Sequence, residues 1–375
     1  MIIALHHLKL ISDGTIPQGK AVLLENGIIV AVIEESEIPV GANQIDLGGA
    51  YLAPGLIDLQ VYGSGKPLFF GGDPSVDALA QMENSLISQG CTSFLATIAT
   101  NTNAVVEQGI NAALSYRSNK IGAYLGLHLE GPYLNAIRKG AHPAHLIKKA
   151  TLTEVKRWVE MAGGEIKMIT LAPELQDAEV LKYLDQQGIV LSSGHSDANY
   201  QQASAFIHHP VKAITHLYNA MPPMHHRQPG IIPAVFEQKP YTSIVADGIH
   251  VDFSMIALAK RELGDKLFLI TDAVCESKTG VYRHELHSNH FTMPDGTLSG
   301  SNLTMLKAVQ NCTQKVGIAI AEAVNMASLY PAQLMGWDKN KGKIAANFDA
   351  DMIVFDAGYN VMATVLKGQY LTKTI

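Results

Sequence analysis

The stretch at residues 191–221, LSSGHSDANYQQASAFIHHPVKAITHLYNAM, decides the predicted fold. Its pattern is strand, loop, helix, strand. A histidine follows each strand pattern, His195 after IVLSSG and His216 after VKAIT. Because successive parallel strands of a barrel end at the same face, the two imidazoles are expected to converge above it. The stretch therefore predicts a catalytic metal site built from separate strands.

The middle of the chain repeats this alternation of strand and helix. Near-continuous apolar strands that alternate with helices predict an α/β fold, a (β/α)8 TIM-like barrel. A doubly wound open sheet is the alternative, but its usual GxGxxG turn after the first strand is replaced by Gly63-Ser64-Gly65. The eight strand patterns lie at 55–60, 92–98, 121–130, 166–172, 190–193, 211–216, 242–247 and 267–272.

Both ends of the chain have short strand patterns. Residues 1–50 contain IIALHHLKLI and AVLLENGIIVAVIE, with a hairpin turn predicted at Asn26-Gly27. Strand patterns recur at 352–355 and 361–366, with a turn at Lys367-Gly368. A β-rich start and a β-rich end commonly pair. We therefore predict a small β-sandwich domain from 1–50 plus 340–375, and a barrel domain over 51–339.

The composition excludes several classes of protein. The 375 residues are 47% hydrophobic with a net charge of −6, and no basic stripe is present, so a general nucleic-acid partner is not expected. Three cysteines without a CxxC pair indicate a reducing compartment. The start lacks the features of a signal peptide, and no apolar run is long enough to cross a membrane. We expect a cytoplasmic protein without a membrane partner.

The ends of the strand patterns carry the chemistry. Glu130, His195 and His216 form an O,N,N ligand set, and three protein ligands with one open position are typical of catalytic Zn²⁺. Such a cation lowers the pKa of bound water to roughly 7. Asp272 is placed to take the proton of that water and return it to a leaving group. The eight strand-end residues are Gln60, Thr97, Glu130, Pro173, His195, His216, Asp247 and Asp272.

Each of these residues also has a purely structural interpretation. A single histidine in an apolar strand is more often a hydrogen-bonded core residue than a ligand. Glu130 could cap the following turn, and Asp272 could cap a helix at 273–280. The structural interpretations become less favoured when all of these residues occur at matching strand ends. His128, two residues before Glu130, is expected to be structural.

Ten motifs together resemble the N-acetylglucosamine-6-phosphate deacetylases, a family of the amidohydrolase superfamily. The resemblance covers nearly the whole chain. The motifs are APGLIDLQ (53–60), LHLEGPYL (127–134), KGAH (139–142), GHSDA (194–198), THLYNAM (215–221), HRQPG (226–230), VADGIHVD (245–252), LITDA (269–273), DGTLSGSNLTM (295–305) and MASLYPAQLMG (326–336).

The resemblance implies hydrolysis of N-acetylglucosamine 6-phosphate to glucosamine 6-phosphate and acetate, in amino-sugar metabolism. It implies Zn²⁺ or Fe²⁺ on Glu130, His195 and His216, and Asp272 as the general acid/base. His142 would contact the sugar and help polarise the amide. A phosphate contact from a neighbouring subunit implies a homodimer. The implied substrate-binding residues are Ala141, His142, Asn219, Ala220, Arg227, Asp247, His250, Leu298, Ser299 and Gly300.

The chain also departs from the family pattern. Many amidohydrolases have HxH after the first strand, where this chain has Gln60-Val61-Tyr62. We therefore expect one metal ion per subunit, with Gln60 at a vestigial metal position. Residues 62–72 are expected to reshape the pocket rim, and Gln228 replaces an acidic residue beside Arg227. Three alternatives stay open: an N-acetylgalactosamine-6-phosphate deacetylase, an amidohydrolase for an amide without phosphate, and an inactive barrel used for assembly.

Overall fold

The structure, a computed structural model, describes residues 1–65, 74–278 and 280–372. The predicted reshaping of the pocket rim by residues 62–72 falls mostly outside these residues. The first six strands belong to the terminal part of the fold: β1 Ile3–His6, β2 Lys9–Leu10, β3 Lys20–Glu25, β4 Ile28–Glu34, β5 Asn43–Asp46 and β6 Tyr51–Pro54.

Eight parallel strands in consecutive order form the barrel sheet. The bridge between Val61 and Ala273 joins its first strand to the segment after its last and closes the barrel. The predicted TIM-like barrel is therefore confirmed. The strands are β7 Leu56–Val61, β8 Cys91–Ala99, β9 Tyr124–Glu130, β10 Ile166–Leu171, β11 Val190–Ser193, β12 Ala213–Ile214, β13 Tyr241–Ile244 and β14 Leu267–Leu269.

Helices cover the outside of the barrel, and their apolar faces share one large core with its strands. Side chains cap the first turns of two of these helices, since Thr151 accepts from the Glu154 amide and Asp252 from the Ser254 amide. None of the helices in the described ranges is long and apolar enough to cross a bilayer. The helices are α1 Val76–Ser88, α2 Asn103–Tyr116, α3 Leu152–Ala162, α4 Ala178–Gln186, α5 Tyr200–Phe206, α6 Ile232–Gln238, α7 Phe253–Leu263, α8 Met305–Asn311, α9 Ile320–Ala327 and α10 Leu329–Met335.

A three-stranded antiparallel sheet follows β14 and borders the mouth of the barrel. Its last strand is linked to the end of the barrel, because the Ser301 amide donates to the Asp272 carbonyl at 2.8 Å. Gly300 is required here, since a Cβ would lie 2.6 Å from that carbonyl oxygen. The three strands are β15 Glu285–His287, β16 His290–Thr292 and β17 Leu298–Ser301.

The chain ends with β18 Met352–Phe355, β19 Val361–Leu366 and β20 Gln369–Thr372. These strands join β2 and β6 in one sheet, and β4, β3, β1 and β5 form another. A separate apolar cluster with members from both sheets, such as Leu5, Leu52 and Met352, lies between them.

The hairpin predicted at Asn26-Gly27 and the turn predicted at Lys367-Gly368 are confirmed. Strand β6 belongs to the terminal sheet although it lies within the range predicted for the barrel domain. The proposed division into two domains stays a prediction.

Candidate metal centre and active site

Four predicted site residues lie at or just beyond the ends of barrel strands. Glu130 is the last residue of β9, whereas His195, His216 and Asp272 follow the ends of β11, β12 and β14. These last three have φ values of 49°, 36° and 52°. A left-handed conformation costs a non-glycine residue roughly 1–2 kcal/mol and cannot continue a strand. Strands β12 and β14 end earlier than their sequence patterns predict, whereas β11 ends at Ser193, as predicted.

The side chains of Glu130, His195 and His216 converge on one point. They are buried, and their ligand atoms all lie within 4.8 Å of one another. His216 Nε2 lies 3.0 Å from Glu130 Oε1 and 3.1 Å from His195 Nε2. One oxygen and two imidazole nitrogens, with room for a fourth ligand on the cavity side, suit a catalytic divalent cation.

The hydrogen bonds around the two imidazoles fit this interpretation. His195 Nδ1 lies 2.7 Å from the Arg138 carbonyl oxygen, which can only accept, so Nδ1 carries the proton and Nε2 has a free lone pair. Two ring nitrogens that face each other at 3.1 Å need either a proton or a cation between them. Among the described residues, His216 Nδ1 has no hydrogen-bond partner. The donor set therefore fits a metal ion better than a closed hydrogen-bond network.

The pKa directions follow from burial and from the charge of Glu130. Burial raises the pKa of Glu130, but its contacts with His142, His195 and His216 outweigh burial and keep it ionised. Burial lowers the pKa of His195, as a neutral ligand requires. Burial also acts to lower the pKa of His216, but Glu130 raises it, so a proton competes with a cation for its Nε2.

Gln60 connects the metal-binding group to Asp272. Its Nε2 donates to Glu130 Oε1 at 3.0 Å and to Asp272 Oδ1 at 2.9 Å. One amide group therefore fills the space between two carboxylates. Burial and the charge of Glu130 both raise the pKa of Asp272, which suits a group that must gain and lose a proton.

The second oxygen of Glu130 faces two other side chains. The Tyr62 hydroxyl donates to Glu130 Oε2, and His142 Nε2 lies 3.3 Å from the same atom. Oε1 is thereby left to the metal-binding side. Tyr62 fills a position where the sequence offered no good metal ligand, and its phenol contacts the carboxylate directly.

A cavity of about 270 Å³ opens above these residues. Glu130, His195, His216 and Asp272 form its floor, and all predicted substrate-binding residues except Arg227 and Asp247 line it. The strand-end residues Thr97 and Pro173 do not line it; Thr97 Oγ1 instead accepts from the Val61 amide at 3.0 Å. The predicted members of the lining are Ala141, His142, Asn219, Ala220, His250, Leu298, Ser299 and Gly300.

His250 supplies positive charge to the cavity. Its Nδ1 lies 2.6 Å from Asp247 Oδ2, and its Nε2 lies 2.5 Å from the Ser299 carbonyl oxygen. Because both partners accept, both nitrogens carry protons. Burial acts to lower the pKa of His250, but the hydrogen bond and charge of Asp247 outweigh it and raise the pKa. Asp247 therefore lies behind His250 and acts on the cavity through it.

Arg227 lies in a different place. It lines a separate cleft with Arg138, Asp197 and Gln228, and it does not line the central cavity of this chain. Arg138 and Asp197 form an ion pair in this cleft, with Nε and Oδ1 2.7 Å apart. Arg227 therefore does not join the other predicted substrate-binding residues at the central cavity.

Two titratable residues of the cavity lining were not found from the sequence. Tyr282 and His284 are buried and lie in the segment between β14 and β15. The Tyr282 hydroxyl contacts His142, and His284 Nδ1 lies 2.6 Å from Ser299 Oγ. Burial lowers the pKa of His284 to about 4, so its ring is neutral. The strand-end pattern gave no signal for them, because no strand or helix pattern positions this segment.

Comparisons with known proteins agree with this geometry. Residues 51–371 match the amidohydrolase family. The chain is 34% identical over 360 residues to the N-acetylglucosamine-6-phosphate deacetylase of Haemophilus influenzae, covering 93% of this chain and 94% of that protein. It is also 34% identical to the enzyme of the same name from Bacillus subtilis, with 84% and 83% covered.

Solved structures extend the similarity to three dimensions. The crystal structure of N-acetylglucosamine-6-phosphate deacetylase from Pasteurella multocida superimposes with a TM-score of 0.95 at 32% identity, covering 99% of this chain and 100% of that one. A mutant of the Mycobacterium smegmatis deacetylase, in complex with N-acetyl-D-glucosamine-6-phosphate, superimposes with a TM-score of 0.89 at 27% identity, covering 99% of both chains.

Proposed function

The chain belongs to the amidohydrolase family, and from this premise we propose that it hydrolyses N-acetylglucosamine 6-phosphate to glucosamine 6-phosphate and acetate. This step belongs to amino-sugar catabolism. The observation that carries the proposal is the convergence of Glu130, His195 and His216 in one cavity, with Asp272 joined to Glu130 through Gln60. The similarity of the chain to deacetylases over most of its length supports the choice of substrate.

Glu130 Oε1, His195 Nε2 and His216 Nε2 would hold one divalent cation per subunit. An O,N,N set suits Zn²⁺, and Fe²⁺ also fits it. When bound, the cation supplies a Lewis acid that polarises oxygen atoms and lowers the pKa of water. Gln60 and Tyr62 favour a single ion, because the Gln60 amide already donates to Glu130 and Asp272 and the Tyr62 phenol donates to Glu130.

Asp272 transfers the proton, and His142 orients the amide. The Asp272 carboxylate removes a proton from the attacking water and later gives it to the departing nitrogen. Its partner Gln60 donates to Oδ1, which holds the carboxylate in place and leaves Oδ2 for the proton. His142, whose Nε2 lies beside Glu130, would contact the acetamide. Leu298, Ser299 and Gly300 would enclose the acetyl group.

The phosphate would bind at the side of the cavity that His250 makes positive. Asn219 and Ala220 also line the cavity and would meet the phosphate, so a protein of net negative charge can hold a phosphate through local groups. Arg227 lines another cleft, which agrees with its guanidinium reaching the phosphate of a partner subunit. We therefore propose a homodimer. A cytoplasmic location is supported by three cysteines that are all buried and free.

Acetate release tests the proposal most directly. Protein loaded with a defined metal is given N-acetylglucosamine 6-phosphate, N-acetylgalactosamine 6-phosphate and unphosphorylated N-acetylglucosamine in parallel. We expect the highest kcat/KM on the first sugar. Faster turnover of the galactose epimer would replace the proposed substrate, and equal turnover without phosphate would point to a different amidohydrolase activity. Protein that takes up no metal and releases no acetate would indicate an inactive barrel.

A further inference from the structure

Tyr282 contacts both a backbone carbonyl and the imidazole of His142. Its side chain is 5% exposed and lines the cavity. The hydroxyl donates to the Thr100 carbonyl oxygen at 2.7 Å, and His142 Nδ1 lies 3.1 Å from the same hydroxyl. Thr100 follows the barrel strand β8, so the phenol is anchored to the scaffold and not to another loop.

A count of protons fixes the direction of both hydrogen bonds. The phenol has one hydrogen, and the Thr100 carbonyl oxygen can only accept it. The phenol oxygen is then left with lone pairs for His142. If Nδ1 lacked a proton, two lone pairs would face each other at 3.1 Å. Nδ1 of His142 must therefore donate to Tyr282.

The second ring nitrogen of His142, Nε2, is the atom that this orientation leaves for a bound molecule. His142 lines the cavity, its Nε2 lies 3.3 Å from Glu130 Oε2, and its ring packs edge-on against His195 with centroids 4.4 Å apart. With Nδ1 committed to Tyr282, Nε2 is the only ring nitrogen available to a bound molecule. A ring free to flip would offer either nitrogen.

We propose that Tyr282 is a positioning residue that fixes the proton of His142 on Nδ1 and directs Nε2 toward the substrate. Its catalytic meaning rests on the proposed deacetylase function. The position of the proton on the His142 ring does not depend on that function, because it follows from contacts within the protein. Burial and the charge of Glu130 raise the pKa of Tyr282, so its hydroxyl keeps the proton that it gives to Thr100.

The packing of the Tyr282 ring does not by itself require a hydroxyl group. The Tyr282 ring stacks on His284, with centroids 5.9 Å apart and planes 17° apart, and it joins a small apolar cluster with Val274 and Phe291. Phenylalanine would keep these ring contacts. Tyr282→Phe therefore removes the two hydrogen bonds and leaves the rest of the environment in place.

The test combines kinetics with the spectroscopy of His142. In Tyr282→Phe we expect kcat to fall about tenfold, the worth of one lost hydrogen bond, with metal content unchanged. In protein with ¹⁵N-labelled histidine, the Nδ1–H tautomer of His142 should give way to a mixture. The His142 signals are identified by their absence in His142→Gln.

Two further variants separate positioning from a general loss of structure. If Tyr282 acts through His142, Tyr282→Phe in a His142→Gln background should change kcat less than twofold. Tyr133→Phe is the matched control, because Tyr133 is also buried and donates its hydroxyl to Glu154, a residue outside the cavity lining. Its kcat should stay at the wild-type value.

The inference is overturned if Tyr282→Phe keeps both the wild-type kcat and the Nδ1–H tautomer, or if its full effect persists without His142. The outcome for the proposed function is separate. Wild-type protein that releases no acetate but shows the Nδ1–H tautomer, lost in Tyr282→Phe, would support the positioning role and refute the deacetylase activity.

Discussion

His128 and Glu130 lie two residues apart on β9, and their surroundings differ completely. Both point into the barrel, one layer apart, because alternate residues of a strand share a face. His128 Nδ1 lies 2.9 Å from the Leu59 carbonyl oxygen and Nε2 lies 2.7 Å from Thr170 Oγ1. The chain of hydrogen bonds continues from Thr170 to Thr215 at 2.7 Å.

The side chains in the layer that contains Glu130 do not form a complete hydrogen-bond network of this kind. There, His195 and His216 present nitrogens to each other at 3.1 Å, and His216 Nδ1 has no partner among the described residues. His195, His216 and Asp272, which surround Glu130, also have left-handed backbones. His128 lies within a regular strand. The ring nitrogens of His128 are thus both hydrogen-bonded, whereas His195 and His216 have lone pairs without a proton to accept. That difference separates a structural histidine from a candidate ligand.

The largest expected effect is on turnover through Asp272. Asp272→Asn removes the carboxylate that moves the proton, so we expect kcat to fall about 10²–10⁴-fold for each transfer. The metal should stay bound, because Asp272 is not one of the three converging ligands. Steady-state kinetics with metal analysis by mass spectrometry measures both. Near-normal turnover would remove Asp272 from its assigned role.

The next effect concerns metal affinity. His195→Asn takes away one nitrogen ligand, and we expect the affinity for Zn²⁺ to fall more than about 100-fold, since changes of surrounding partners alone cost 10–100-fold. Competition with a chromogenic chelator gives the affinity without reference to turnover. The matched variant is His128→Leu, which should bind Zn²⁺ as the wild type does. Equal losses in both variants would contradict the distinction between the two layers.

The same His128→Leu variant should be destabilised. It leaves the Leu59 carbonyl and the Thr170 hydroxyl without their buried partner, so we expect a loss of about 1–3 kcal/mol in the free energy of unfolding. Burial lowers the pKa of His128 from 6.5 to about 4, so this loss should be complete at pH 9 and smaller at pH 6, where the ring gains a proton in the unfolded chain but not in the folded protein. Urea denaturation at both pH values measures it. A loss that is larger at pH 6 than at pH 9 would mean that the ring is charged in the folded protein.

The pair of His250 and Asp247 should show the opposite pH behaviour. The pKa of His250 is raised above 6.5, so its contribution to stability is complete below pH 6.5 and declines as pH rises through the folded pKa. Asp247 has a lowered pKa and loses its contribution only as pH falls through that lower value. His250→Gln should therefore destabilise by about 1.5–3 kcal/mol at pH 6 and less at pH 9. A difference that is constant with pH, in urea titrations of both proteins, would argue against a charged His250.

Residues close in sequence to a strand end were predictable, because the barrel rule places all such ends on one face. Glu130, His195, His216 and Asp272 were found in this way, and the structure brings them to one cavity. The binding residues implied by the motifs also line it, apart from Arg227 and Asp247. The ends of β12 and β14 were predicted too late, since the left-handed residues His216 and Asp272 look in the sequence like one more strand residue.

By itself, the sequence determined the alternation of elements, the barrel, the hairpin turns and the ligand types at the strand ends, because these follow from local periodicity and turn chemistry. Only the tertiary structure decided which lone pairs have partners. The contacts of His128 with Leu59, of His195 with Arg138 and of Tyr282 with Thr100 join residues 57 to 182 positions apart. Such contacts depend on how distant segments pack, and no local pattern specifies them.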